Sequence, residues 1–270
     1  MSGNSLFQNL YTVGKGRLFF GQFISDQNRT LVNGAGVTYF GNTPSFEAER
    51  KATVLQHMDS DAGQKVVDDS LDIETQFSGK FSVDNITGNN LALFFGGTST
   101  NITQAAGTAN VSNNYTITPD TFIMLGANPS NPTGDVAIGS PTVTVGGTTA
   151  VDPSLYNYDV NTGLLYVQPT ASLDAVWNIA YPYAAAQLNQ VVETGTSIYG
   201  QLLFVANNPR GPQRDYFFPF VKITSEGTMP LKGDTWMTLT FAWEAMNLNQ
   251  STKRVYVRAR PASLVIPDGP

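Results

Sequence analysis

The chain has 270 residues, 41% of them hydrophobic and 13% charged, with 25 glycines, 15 prolines and no cysteine. This supplies one large β domain or two small ones, favours many short strands over helices, and excludes disulfide staples and thiolate metal sites. The net charge of −6 is uneven: residues 81–209 hold seven acids and no Lys or Arg, while the flanks hold 15 bases against 14 acids, so the basic stripe of a nucleic-acid binder is missing.

Residues 1–10 have neither a basic n-region nor an apolar h-region, so no signal peptide is expected there. No stretch has the unbroken apolar length of a membrane helix, and synthesis in the cytoplasm is expected. Residues 15–25 predict a first strand with Leu18 and Phe20 on one face. Asn33-Gly34-Ala35-Gly36 marks a turn, and residues 37–41 a short second strand. Residues 45–55 alternate: Phe46, Ala48, Ala52 and Val54 oppose Glu47, Glu49, Lys51 and Thr53, with Arg50 breaking the apolar face. Residues 56–64 read as a polar loop.

Residues 65–81 give the clearest period of two. Val67, Leu71, Ile73, Thr75, Phe77 and Phe81 share one parity; Asp68, Asp72, Glu74 and Lys80 share the other. This predicts a long strand with one buried and one wet face. Thr87 predicts the cap of a short helix with an apolar stripe of Leu91, Phe94 and Phe95, stopped by Gly96-Gly97.

Residues 98–190 form a β-rich middle section, rich in Thr, Asn, Gly and Ala. Strands are expected over 115–118, 121–125, 142–145, 156–160, 164–167 and 177–181. Asn161-Thr162-Gly163 marks a hairpin, and residues 126–139 an exposed excursion. Residues 191–270 return to stronger strands, at 197–206, 214–225, 235–246 and 254–260. Pro261, Pro267 and Pro270 end the chain in an extended arm.

No catalytic set emerges. The one histidine, His57, has no nucleophile elbow to serve and reads as a surface or interface residue. Asp59-Ser60-Asp61 opens like a calcium loop but fails it, with Gly63 at the third ligand position and Ser70 at the twelfth. Gly14-Lys15-Gly16 lacks the third glycine, the preceding strand and the following helix of a dinucleotide site. Asp68, Asp72 and Glu74 form a solvated row with no apolar pocket to raise a pKa. No enzyme activity and no cofactor are expected.

The order of several short pieces resembles the tail tube proteins of long-tailed, non-contractile bacteriophages. They are Gly14-Lys15-Gly16-Arg17-Leu18-Phe19, Phe40-Gly41-Asn42-Thr43-Pro44-Ser45-Phe46, residues 57–63, Asp84-Asn85-Ile86, and Asn90-Leu91-Ala92-Leu93-Phe94-Phe95. Near the other end stand Gly200-Gln201-Leu202-Leu203-Phe204, Asn208-Pro209, Phe218-Pro219 and Gly233-Asp234-Thr235-Trp236. The resemblance implies a mainly β fold: a β-sandwich with a short flanking helix, whose strands close with those of five other subunits into a lumen-lining barrel. Residues 1–97 are then the first half of a tube domain, 98–190 an outward-facing section, and 191–270 the completing strands plus an arm.

The implied role is structural: hexameric rings stack into a hollow conduit through which DNA passes into the host. The implied partners are further copies of the chain, the tail tip or initiator, the tape measure and the tail terminator of the same virion, and double-stranded DNA in transient, non-specific passage. The implied location is the virion tail. Asp68, Asp72, Glu74, Glu47 and Glu49 become lumen-facing groups that repel phosphate, and the 55–66 loop, with His57, Asp59, Asp61 and Gln64, reaches the neighbouring ring. The sequence departs from the family at Asn89 and Asn90, where an acid usually stands, which predicts a weaker helix cap. Two rivals share the composition: another phage structural protein, such as a head decoration or minor tail protein, and a carbohydrate-binding or adhesin module.

Overall fold

The computed structural model describes residues 11–34, 36–59, 63–110 and 113–260. The predicted start and terminal arm, at 1–10 and 261–270, lie outside the described residues. The chain is mainly β, with one α-helix among the described residues, and none of its sheets closes into a barrel within the chain.

It divides into two compact units. One comprises the chain up to Ser99 and from Val191 onward, the other Thr100–Gln190. The first begins with β1 (Gly16–Gln22), β2 (Thr38–Tyr39), β3 (Ser45–Asp59), β4 (Val66–Val83) and α1 (Gly88–Phe95), and β5 (Gly97–Gln104) leads out of it. The second holds β6 (Gly107–Ala109), β7 (Asn114–Thr116), β8 (Thr121–Met124), β9 (Thr142–Val145), β10 (Thr149–Ala150), β11 (Tyr156–Tyr158), β12 (Leu164–Val167) and β13 (Val176–Tyr183). The chain returns along β14 (Ala186–Glu193), which pairs with β5, and ends with β15 (Ile198–Ala206), β16 (Gln213–Glu226), β17 (Leu239–Ala245) and β18 (Tyr256–Arg260). β5 and β14 escape the sequence reading because stretches such as Gly97-Thr98-Ser99-Thr100-Asn101 lack an apolar alternation.

The first unit is built on one antiparallel sheet, ordered β2-β1-β15-β16-β17-β4-β3, with β18 beside β16. Alternation sets its faces. In β17, Leu239, Phe241, Trp243 and Ala245 are buried, while Thr240, Ala242 and Glu244 point the other way. Phe40, just after β2, lies 4.9 Å from Phe81 of β4, ring centre to ring centre, although four strands separate β2 from β4 in the sheet. The sheet therefore bends over its own core, of which Leu18, Phe20, Phe81, Phe218, Phe241 and Trp243 are the large members.

Pro219 stands inside β16, where a proline removes a ladder donor. The register resolves this: Gly200 faces Val221 but Leu202 faces Phe218, so one residue of β15 opposes two of β16 at a bulge. Gly79 lets β4 pass close to its neighbours. A Cβ there would stand 1.9 Å from the Glu47 carbonyl oxygen and 2.8 Å from the Trp243 ring.

Helix α1 covers the core against β16 and β17. Thr87 caps it, its hydroxyl accepting from the Asn90 amide at 3.2 Å, and Gly96 ends it at φ 62°. Asn90 changes the expectation of a weak cap. Its buried side-chain amide donates to the carbonyl oxygens of Phe40 and Asn85, each at 2.8 Å. A carboxylate in its place would face two acceptors, so this helix start requires a neutral donor. Leu91 and Phe94 pack on the core, whereas Phe95 is 45% exposed and touches Phe94 edge-on.

The last described strand is held by a buried ion pair. Asp215 accepts from the Ala206 amide at 3.0 Å and is ion-paired with Arg260, whose Nε lies 2.8 Å from the carboxylate, and Arg260 also donates to the Ala206 carbonyl. Arg258 approaches the same carboxylate at 3.7 Å from a largely exposed position. Asp215→Ala strands a buried guanidinium and should cost about 3–5 kcal/mol in urea unfolding, whereas Arg258→Ala should cost less than about 1 kcal/mol.

The second unit has its own core, centred on Ile117, Leu125, Leu165, Trp177, Ile179 and Tyr181. A five-stranded sheet ordered β10-β9-β13-β6, with β7 also on β13, accompanies a three-stranded sheet ordered β11-β12-β8. The predicted excursion at 126–139 is exposed only over 127–133. Asp135 accepts from the buried Tyr181 hydroxyl at 2.9 Å, and Ile138 joins the core, so the second half of the loop is tied down.

Burial, then the hydrogen bond to Asp135, push the Tyr181 phenol well above its ordinary value of 10. The folded chain keeps this proton where the unfolded chain loses it. Its contribution is thus complete below pH 10 and falls as pH rises beyond it, by about 1.4 kcal/mol per pH unit. Urea titrations from pH 8 to 11 should show this slope, and Tyr181→Phe should lower it by one proton.

Candidate functional site

The outward side of β3, β4, β17 and β16 is a polar wall. β3 presents Glu47, Glu49 and Lys51; β4 presents Glu74, Gln76, Ser78 and Lys80; β17 presents Glu244; and β16 presents Lys222 and Glu226. Its middle is a shallow depression of about 510 Å³ lined by Glu47, Glu49, Lys51, Lys80, Lys222 and Glu244. Lys80 pairs with Glu226, whose hydrogen bond and charge raise the lysine pKa, and Lys51 lies 3.2 Å from Glu49. Such exposed pairs add little stability, but they occupy the lysines. Lys222, Glu226 and Glu244 escape the sequence reading because only strand pairing brings them beside β4. Among the described residues, no group of three or more His, Asp or Glu is placed to hold a metal.

Beyond the wall, the β3–β4 hairpin runs on past the sheet. β17 pairs with β4 only from Phe77 to Val83, whereas β3 pairs with β4 from Val66 to Ser82. The predicted polar loop at 56–64 begins as strand: β3 continues to Asp59, with His57 opposite Asp69 and Asp59 opposite Val66. Cross-strand pairing extends the alternation that composition alone ends at Leu55. Gln64 sits in the bend before β4, and Asp61 lies outside the described residues.

The expectation of one buried and one wet face fails here. Val54, Leu55, Met58, Val66, Val67, Leu71 and Ile73 are 44–62% exposed. They also fall on both faces. Register shifts between Thr53 and Val54 and between His57 and Met58 break the parity of β4. Leu55 pairs with Leu71 on one face, and Met58 with Val67 on the other. The same shifts divide the predicted acidic row. Glu47, Glu49 and Glu74 share the polar wall's side, whereas Asp72 pairs with Val54 and lies 3.7 Å from Arg50 on the opposite side. The Asp68 carboxylate accepts from His57 Nδ1 at 2.6 Å.

Two short ties hold the hairpin's base. Phe46 stacks on Trp243 at 5.8 Å, and Arg254 lies over the Phe77 ring at 4.9 Å while donating to the Thr75 carbonyl on the free edge of β4. Past Thr75 the hairpin has little but its own ladder. In the isolated subunit, amides of residues 66–73 should exchange with deuterium at least tenfold faster than those of 77–83, as read by exchange mass spectrometry.

No curated protein matches the sequence. One family model matches residues 11–210, well over half of the chain, and so covers the polar wall's β3 and β4, the whole hairpin and the second unit. The chain belongs to that family, described as "Protein of unknown function UCP028589".

Proposed function

We propose that this protein is a structural subunit of a phage tail tube, polymerising as stacked hexameric rings into a hollow conduit for DNA. The observation that carries the reading is the hairpin, which exposes seven apolar side chains on both faces. A two-stranded hairpin is marginal in water by itself, and large exposed apolar surface marks an interaction site. Burying these side chains between copies gains on the order of 5–10 kcal/mol per subunit before association costs. Both faces need covering, which favours a shared sheet between several copies over a single docking partner. The free edge of β3 supplies the pairing groups, and closing the sheet into a ring removes the edges.

In this reading the sandwich and barrel of the tail tube family arise on assembly, and the polar wall lines the channel. Glu47, Glu49, Glu74, Glu226 and Glu244 outnumber Lys51, Lys80 and Lys222 there, and two of the three lysines are held by carboxylates of the same wall. Phosphate meets repulsion and few free ammonium groups, so DNA slides without sticking. The distal hairpin, with His57, Asp59 and Gln64 near its tip, contacts the next ring, and tail tip, tape measure and terminator proteins bound the polymer.

Negative-stain microscopy of concentrated, purified protein tests the reading. Hollow tubes or six-fold rings are expected. Leu55→Asp combined with Leu71→Asp should abolish them while leaving the subunit's melting temperature within about 2 °C, because neither side chain packs on the core. A wild-type protein that stays monomeric at all concentrations, with or without its tail tip, would sink the reading.

A further inference from the structure

The first unit carries two surface features that fit each other. One is a knob. The connection between β16 and β17, residues 227–238, leaves Leu231 79% and Trp236 93% exposed, while Met229 packs on the core and fixes its root. A tryptophan so exposed adds nothing to its own subunit's core, and it is among the side chains most enriched where one protein anchors in another. Lys232 and Asp234 precede it closely in sequence.

The other feature is a hole. A groove of about 580 Å³ is lined by Phe23, Leu31, Phe217, Pro219, Leu248 and Tyr256, with Arg29 at its side. The Arg29 guanidinium lies 4.5 Å from the Phe220 ring centre and donates to the carbonyl oxygens of Asp26 and Leu248. The cation is thus held in place beside an apolar floor, a setting that suits an aromatic ring with a carboxylate next to it. Asp26, on the same turn, supplies the opposite charge. The knob offers Lys232 and Asp234; the hole offers Asp26 and Arg29. Trp236 cannot be filling the groove of its own chain, since it is almost wholly exposed.

We infer that Trp236 of one subunit seats in this groove of a second copy, with Asp234 meeting Arg29 and Lys232 meeting Asp26. The contact is heterologous, so every copy gives a knob and accepts one. It propagates, closing into a ring or running on as a filament according to the rotation between copies. It deepens the assembly proposed above and rests on that reading only for the six-fold closure.

The chain reports on the contact by itself. Of its three tryptophans, Trp177 and Trp243 are 2% exposed, so the red-shifted part of the emission belongs to Trp236. Sedimentation velocity and tryptophan emission are followed for the full chain, for Trp236→Ala and for Leu248→Lys, alone and mixed. Each variant alone should raise the concentration of half-assembly about 30-fold. An equimolar mixture has one intact knob and one intact hole, and should form dimers that grow no further. Should Leu248→Lys fail to fold, Arg29→Glu and Asp234→Arg test the same contact through charge: each alone sets like charges together and should assemble poorly, whereas in their mixture both pairings are of opposite charge and growth past the dimer should return.

Trp236→Ala assembling at the wild-type concentration, or mixtures that yield no dimer, would overturn the inference. If tubes form regardless of Trp236, the tube reading stands without it. Knob-dependent oligomers that never become hollow tubes would keep the inference and remove the tube reading. A wild-type chain that stays monomeric, with Trp236 emission unshifted, would end both.

Discussion

The pairing of β3 with β4 is the constraint on which the rest of the first unit depends. Backbone hydrogen bonds between two strands do not by themselves hold a hairpin in water; a buried face must accompany them. At the base that face exists, because Phe46, Phe77 and Phe81 join the aromatic core with Phe218, Phe241 and Trp243. Gly79 permits the close approach of β4 to Glu47 and Trp243. Past Phe77 the core ends while the ladder continues to Val66. The apolar side chains on that projecting stretch have no partner layer among the described residues, and their presence on both faces distinguishes it from an ordinary amphipathic strand.

The remainder of the unit holds this base in position. Curling of the sheet lets Phe40 reach Phe81, and the buried amide of Asn90 ties α1 to the Phe40 carbonyl beside it. The bulge at Pro219 bends β16 between its early and late partners, so that β18 and β17 follow one another along the same edge. Asp215 then secures β18 through Arg260. Polar groups inside this unit are few and satisfy specific geometric needs, whereas those on the outer wall pair loosely in solvent.

Acidity in the middle of the chain has a local explanation. Asp120 accepts from the Tyr166 hydroxyl and Asp135 from that of Tyr181. Asp152 accepts from the Ser154 amide and Asp159 from the Asn161 amide and the Thr162 hydroxyl, and these bonds hold both carboxyls below the usual carboxylate range. Four of the seven acids in residues 81–209 thus serve turns and loops of Thr100–Gln190. Short side-chain acceptors of this kind are what tight connections between short strands require.

Local chemistry was readable from the sequence wherever it governs structure by itself. Alternation located β1, β3, β4, β12 and β17; Thr87 and Gly96 bounded the helix; and Asn161-Thr162-Gly163 marked the β11–β12 hairpin. The candidate site was readable only in part. Glu47, Glu49 and Glu74 were identifiable by parity, but Asp72 left their face because two register shifts, invisible in composition, reset the alternation of β4. Lys222, Glu226 and Glu244 joined the site only through pairing between strands distant in sequence. Residues 56–59 of the predicted loop at 56–64 became strand because β4 offered them partners. By itself, the sequence determined where the alternating strands and the helix caps form, since those follow from spacing along one segment. Tertiary structure alone decided which faces are covered, because burial depends on what another part of the chain brings to that face, and for the distal hairpin none of the described residues does.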